Sequence, residues 1–314
     1  MSEEPAREYG TRQLRTRITS REDGRFLWSR ERLVAGPVPD AAPAAPEVGP
    51  YVLLGTRSGH TVDYLAPADQ SLAHTVWPPG QGPVAPEPAT AAMRAAGRAL
   101  RDLAASRSAF PGVSGAPPAL SRLVHWLREG GDGEGSARLH ALCASRLGAS
   151  RLDVLREWCR ELTEPHRRPV LLHGEPSLGL IVPVPDGAGA GPGAVLLTGE
   201  TLSLGPWEFD PGWLIGELAE MADIGRRHVP AERRTELPPF DAMAAALLEA
   251  RDDAPDLALL GRVATLRRLA HVVDFATYVG WNPGVGAYVE ALADLVDGEG
   301  RPALVSTGLA TERP

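Results

Sequence analysis

The spacing of apolar and polar residues changes character near residue 87. Before that point, short apolar runs are separated by charged residues, glycine and proline. Arg25-Phe26-Leu27-Trp28 and Arg32-Leu33-Val34 are strand-like pieces inside a segment of mixed charge. YVLLGTRSGHTVDYLAP, residues 51–67, reads as two short strands joined at Ser58-Gly59, and SLAHTVW, residues 71–77, as a third. Beyond it, PATAAMRAAGRALRDLAAS (88–106) carries apolar residues at helical spacing with almost no β-branching, which predicts a helix. Further helices are predicted over 117–129, 135–146 and 150–163. The last of these sets Leu152, Leu155, Trp158, Cys159 and Leu162 along one face. A β-rich patch then interrupts, with 168–184 and 194–204 opening on Val170-Leu171-Leu172 and Val195-Leu196-Leu197. Helical spacing returns after Pro211 over 212–226, 239–251, 257–280 and 284–296.

Two segments punctuate this order. GPVPDAAPAAPEVGP (36–50) is a semi-rigid Pro/Ala connector. DGAGAGPG (186–193) is glycine-rich but lacks the spacing of a phosphate-binding loop, so it reads as a hairpin tip. The predicted organisation is α+β: a β-rich N-terminal lobe over 1–81 and a helical lobe over 82–314.

Composition narrows the chemistry. All 32 basic residues of the 314-residue chain are arginine, and the only asparagine is Asn282. A GC-rich coding sequence favours such a bias. It still excludes Schiff-base catalysis, a P-loop lysine and a kinase strand lysine, because each needs an ε-amine. A net charge of −8 argues against general nucleic-acid binding, which depends on displacing counterions. Cys143 and Cys159 lie in helical segments with no partner motif and read as buried small hydrophobes. The N-terminus is charged and no apolar run reaches membrane length, so the expected location is the cytoplasm.

The chemistry-bearing stretches are Pro169-Val170-Leu171-Leu172-His173-Gly174-Glu175-Pro176-Ser177-Leu178-Gly179-Leu180 and Leu197-Thr198-Gly199-Glu200, the latter running on to Gly205 and Asp210. In order and spacing they resemble the aminoglycoside phosphotransferase family, whose fold is protein-kinase-like. That family carries an H-G-D-x-x-x-x-N loop after a Val/Leu strand, then I-D-W-E, then a G-x-x-x-x-D turn into a helix. His173-Gly174, Glu200, Gly205 and Asp210 match the frame, and GRALRDLAAS matches a family helix. The resemblance therefore implies a two-lobed kinase-like fold with Asp210 as a structural brace.

It also implies lost chemistry. Kinases position phosphates with a strand lysine, orient the nucleophile with Asp, and hold magnesium with Asn and Asp. By position these become no residue, Glu175, Leu180 and Thr198. Glu175 keeps a carboxylate, but Leu180 cannot ligate magnesium and Thr198 offers only a hydroxyl. Glu200, two residues along the strand, is a partial substitute at most. An arginine standing in for the lysine would come from the N-terminal lobe, where Arg57 is the basic residue within 51–77.

The expectation is a pseudokinase with no metal and no cofactor. Its vestigial cleft comprises His173, Gly174, Glu175, Ser177, Leu180, Thr198 and Glu200. It would serve as a binding or scaffold subunit for a partner protein or peptide, with neither nucleic acid nor membrane as partner. Families of this fold supply kinase-like subunits to peptide-modifying assemblies such as class V lanthipeptide synthetases, so a RiPP biosynthetic complex is the specific form of the expectation. Two alternatives stand beside it: a non-kinase enzyme using Glu175 and His173 as acid and base, for example in peptide cyclisation, and a divergent active phosphotransferase. Elsewhere, His125 and His140 read as structural residues on helices, and Phe275, Tyr278 and Trp281 as core.

Overall fold

Leu14-Arg15-Thr16-Arg17-Ile18 alternates with a period of two, and in the computed structural model of the protein that alternation is a strand. The structure describes residues 7–34, 47–76, 86–184 and 193–311. Strands β1 (Arg7–Gly10), β2 (Leu14–Ser20) and β3 (Phe26–Arg32) form a meander that the mixed charge of this segment concealed. After β4 (Val52–Leu54) come β5 (Thr56–Ser58) and β6 (Thr61–Ala66), and the sheet runs β1-β2-β3-β6-β5. Register places Ile18 beside Trp28 and Trp28 beside Tyr64, all buried on the face toward the rest of the molecule. The opposite face is a polar ladder in which Arg17 meets Glu8 at 3.1 Å and Ser29 donates to Asp63 at 2.6 Å. The arginines are therefore compatible with a strand because every second residue can remain in water.

Residues 71–76 depart from expectation. Leu72–Val76 is a helical turn, α1, rather than a strand, with Leu72 and Val76 buried. An apolar run of this length has no period that separates the two states, and packing decides. Trp77, the boundary at 81/82, residues 36–46 of the connector and nearly all of the 186–193 tip lie outside the described residues.

The helical lobe opens with α2 (Pro86–Ala105) and α3 (Pro118–Glu129). The two helices predicted over 135–146 and 150–163 are joined as α4 (Glu134–Thr163), broken at Gly148, which adopts φ 74°. Then β7 (Val170–Leu172), β8 (Ile181–Pro183), β9 (Ala194–Thr198) and β10 (Ser203–Gly205) make two small sheets. β7 pairs antiparallel with β10, while β9 lies between β8 and β4. Thus β4 leaves the N-terminal sheet and pairs parallel with the other lobe, Leu53 against Leu197.

The remaining helices are α5 (Phe209–His228), α6 (Phe240–Leu248), α7 (Leu257–Asp274), α8 (Val285–Asp297) and α9 (Arg301–Ser306). α5 and α7 pack so closely that a Cβ on Gly216 would stand 2.6 Å from the Ala264 carbonyl oxygen. α7 ends six residues earlier than predicted, passing into a π-type turn over Phe275–Val279. Phe275 and Tyr278 are half-buried there rather than core, and Trp281 packs at the core's margin beneath the Arg138 guanidinium. Short α9 escaped sequence reading because Gly300 and Pro302 mask its first turn. Cys143 and Cys159 are buried free thiols, both pushed up to about 12 by burial. Among the described residues no helix is long and apolar enough to cross a membrane.

Candidate functional site

β7 delivers the chain to His173 at the base of the cleft between the lobes. Gly174 takes φ +93°, and a Cβ there would lie 2.1 Å from the Thr201 carbonyl oxygen, so this turn requires glycine. Asp210, in the first turn of α5, holds the loop from behind. Its two carboxylate oxygens accept the backbone N–H of His173 at 2.7 Å and of Gly174 at 3.0 Å. Burial raises the Asp210 carboxyl above its ordinary value, and the nearby His173 and the two amides offset this only in part. A helix N-terminus favours negative charge at this position.

His173 is 1% exposed, and its Nε2 lies 2.9 Å from the Leu197 carbonyl oxygen. A carbonyl only accepts, so Nε2 carries a proton. Nδ1 has no hydrogen-bond partner among the described residues. The imidazole thus ties the loop to β9 and is closed to solvent. Thr201 Oγ1 donates to the His173 carbonyl at 2.9 Å, and the half-buried Glu217 carboxylate accepts the Leu178 N–H at 3.0 Å. The loop is therefore held from α5, from β9 and from the turn that follows β9.

The reactive positions have a different environment. Glu175 is clamped by Arg122 of α3 in a two-pronged pair at 2.8 and 3.1 Å, with Asp274 3.6 Å from the same guanidinium. Ser177 is half-buried, and its carbonyl accepts from the Leu180 N–H at 2.9 Å. Leu180 is part of the apolar core, and Thr198, 0% exposed, donates its hydroxyl to the Leu196 carbonyl at 3.0 Å. Among the described residues no group of three His, Cys, Asp or Glu side chains is placed to hold a metal ion. The magnesium ion that kinases carry at these positions does not fit the residues present, which offer one buried leucine and one committed hydroxyl.

Glu200, expected to be at most a partial substitute at the metal site, has other partners. Its Oε1 accepts from Arg30 Nε at 2.5 Å and from the Tyr64 hydroxyl at 3.0 Å. Burial pushes its carboxyl up, but Arg30, Tyr64 and His173 outweigh burial and leave it below the ordinary glutamate value. Arg30 stands on β3, which lies between β2 and β6 in the N-terminal sheet; protein kinases carry their phosphate-binding lysine on the third strand. The cation that meets Glu200 is Arg30, whereas the Arg57 guanidinium reaches the Gly199 carbonyl at 3.4 Å. Parity was the available signal: Arg30 lies two residues from Trp28 and so shares its inward face.

A further contact ties the N-terminal sheet to the helical lobe. The β1–β2 turn, Thr11-Arg12-Gln13, docks on the π-type turn, where Arg12 donates through Nε to the Tyr278 carbonyl at 3.2 Å. Kinases cover the nucleotide phosphates with a glycine-rich loop at this turn. Sequence reading missed Arg12, Arg30, Tyr64 and Arg122, all four of which pair with residues distant in the chain.

No family model matches the sequence, and no curated protein matches it. Solved structures do. A Ralstonia eutropha protein assigned as an aminoglycoside phosphotransferase superposes with a TM-score of 0.52 at 11% identity, over 96% of this chain and 94% of that one. Plasmodium vivax ethanolamine kinase gives 0.46 at 11% identity over 94% and 79%. A microcompartment-associated aminopropanol kinase gives 0.46 at 14% identity over 96% and 94%. The fold is the two-lobed, protein-kinase-like fold of the aminoglycoside phosphotransferases, with a small β-sheet lobe and a large helical one.

Proposed function

We propose that this chain is a pseudokinase: a kinase-fold protein without magnesium-nucleotide chemistry that works as a binding or scaffold subunit. The observation that carries this reading is the Arg30–Glu200 ion pair. Each side chain is at most 15% exposed, and the two residues belong to opposite lobes. A cation that holds phosphates and an acid that sits by the metal here neutralise one another. Arg122 treats Glu175 in the same way. Together with Leu180 and Thr198 at the metal positions, every charged part of the transfer machinery is either absent or internally paired.

In its most specific form the reading makes this chain a subunit of a peptide-modifying assembly of the lanthipeptide or RiPP kind, a step that rests on analogy of fold. The acid–base alternative has less support, because the His173 ring is enclosed and Glu175 is held by a guanidinium. Calorimetric titration with magnesium and ATP tests the reading directly. No saturable heat and no rise in melting temperature are expected, whereas a saturable signal would restore the phosphotransferase alternative. Affinity capture from the native host is expected to bring down one stoichiometric partner protein or peptide, and purification as a lone monomer would count against a scaffold.

A further inference from the structure

A pocket of about 300 Å³ opens between the end of α5 and helices α7, α8 and α9, and it shares no residue with the cleft. One wall is cationic, formed by Arg226 and Arg227 of α5 and Arg268 of α7. A single carboxylate, Asp223, serves much of that wall: Oδ2 accepts from Arg268 at 2.5 Å, and Oδ1 takes both Arg226 and the Ser306 hydroxyl. Arg268 is 1% exposed, yet its Nε has no hydrogen-bond partner among the described residues. Arg227, at the exposed rim, likewise has no ion-pair or hydrogen-bond partner among them. Arg227, a cation without a partner among the described residues at the mouth of a pocket that Arg268 also lines, marks a place for an acceptor.

The opposite wall is apolar, built from Ala291 and Leu295 of α8 and Pro302 of α9. Asp294 is the second carboxylate of the lining, so three guanidiniums face two acids and leave an excess of one positive charge. The geometry points to a binding site for a small monocarboxylate with an apolar body. Its carboxylate would pair with Arg227 at the rim, on the cationic side of the pocket, while its body lies on Ala291, Leu295 and Pro302. The volume lies at the small end of ordinary ligand sites, and arginine forks match carboxylate oxygens. A phosphate dianion fits less well, since its second charge would face Asp223 and Asp294 uncompensated.

The test is titration of the full chain with 4-methylpentanoate, followed by amide shifts in two-dimensional NMR and by calorimetry. Inorganic phosphate and 4-methylpentanol serve as probes for charge and for apolar contact alone. Saturable binding of the carboxylate is expected, with shifts centred on α8 and α9, and no saturation by either control. Arg227→Ala should weaken binding by about tenfold, the value of one charge-assisted hydrogen bond. Ala291→Glu, which sets a fixed carboxylate inside the pocket, should abolish it. Both positions reach solvent, so both variants should melt as the wild type does. Absence of saturation in the wild type would overturn the proposal. So would phosphate or the alcohol binding as tightly as the carboxylate, or wild-type affinity in both variants.

Discussion

The catalytic-loop frame and the reaction centre lie within a few residues of one another, and they have fared differently. In the frame, His173, Gly174, Thr201 and Asp210 keep the contacts that hold a tight, buried turn. In the reaction centre, Glu175, Leu180, Thr198 and Glu200 serve packing or internal ion pairs. The frame resists change because its partners are backbone groups: any residue at Asp210 that fails to accept two N–H bonds leaves them buried and unsatisfied. The reaction centre has no such constraint.

Substitutions in the two regions sharpen this contrast. The largest effect is expected from Thr198→Asp, which restores the kinase residue type at a fully enclosed position. An unpaired carboxylate there should cost about 4 kcal/mol in urea unfolding, with no recovery on adding magnesium. Magnesium-dependent recovery would mean that the metal site survives. Next is Arg30→Ala, which leaves Glu200 buried with only Tyr64 as partner and should cost about 3 kcal/mol. The same pair predicts a pH response. The Glu200 carboxyl is depressed by Arg30, so its contribution is complete above the unfolded glutamate value of about 4.3 and is lost as pH falls through the lower folded value. Wild-type stability should therefore fall in that window more steeply than that of Arg30→Ala, and parallel curves would contradict the clasp.

In the frame, Asp210→Asn keeps one acceptor and turns an NH₂ toward the other amide. A loss of about 2 kcal/mol is expected, together with faster amide exchange at His173 and Gly174. Unchanged exchange would remove the brace. The smallest effect belongs to Glu175→Gln. Arg122 retains Asp274 as partner, so stability should stay within about 1 kcal/mol of the wild type. Burial holds the Asp274 carboxyl above its ordinary value against the opposing pull of Arg122, and the Glu175 charge adds to the rise. It should thus titrate lower in this variant by carboxyl NMR, and an unmoved value would place Glu175 outside its electrostatic reach.

Much of the helical lobe was legible. Gly148 breaks α4 between the two predicted helices, and α2, α3, α5 and α8 lie close to their predicted spans, because an amphipathic period is a local property. The loop frame was legible for a related reason: Gly174 and Asp210 are fixed by backbone geometry that permits few residue types. β1 and β2 were obscured by charge on their outer face, and α1 was too short for its period to be read.

The site's charge balance was not legible at all. Sequence by itself determined that no ε-amine exists, that leucine and threonine stand at 180 and 198, and that carboxylates stand at 175 and 200. Only the tertiary structure decided what those carboxylates do. Arg30 reaches Glu200 across 170 residues and Arg122 reaches Glu175 across 53. Such pairings depend on strand register and on how the helices pack around the loop. No local pattern encodes which of 32 arginines will stand opposite a given acid, because that choice is made by the burial of everything around it.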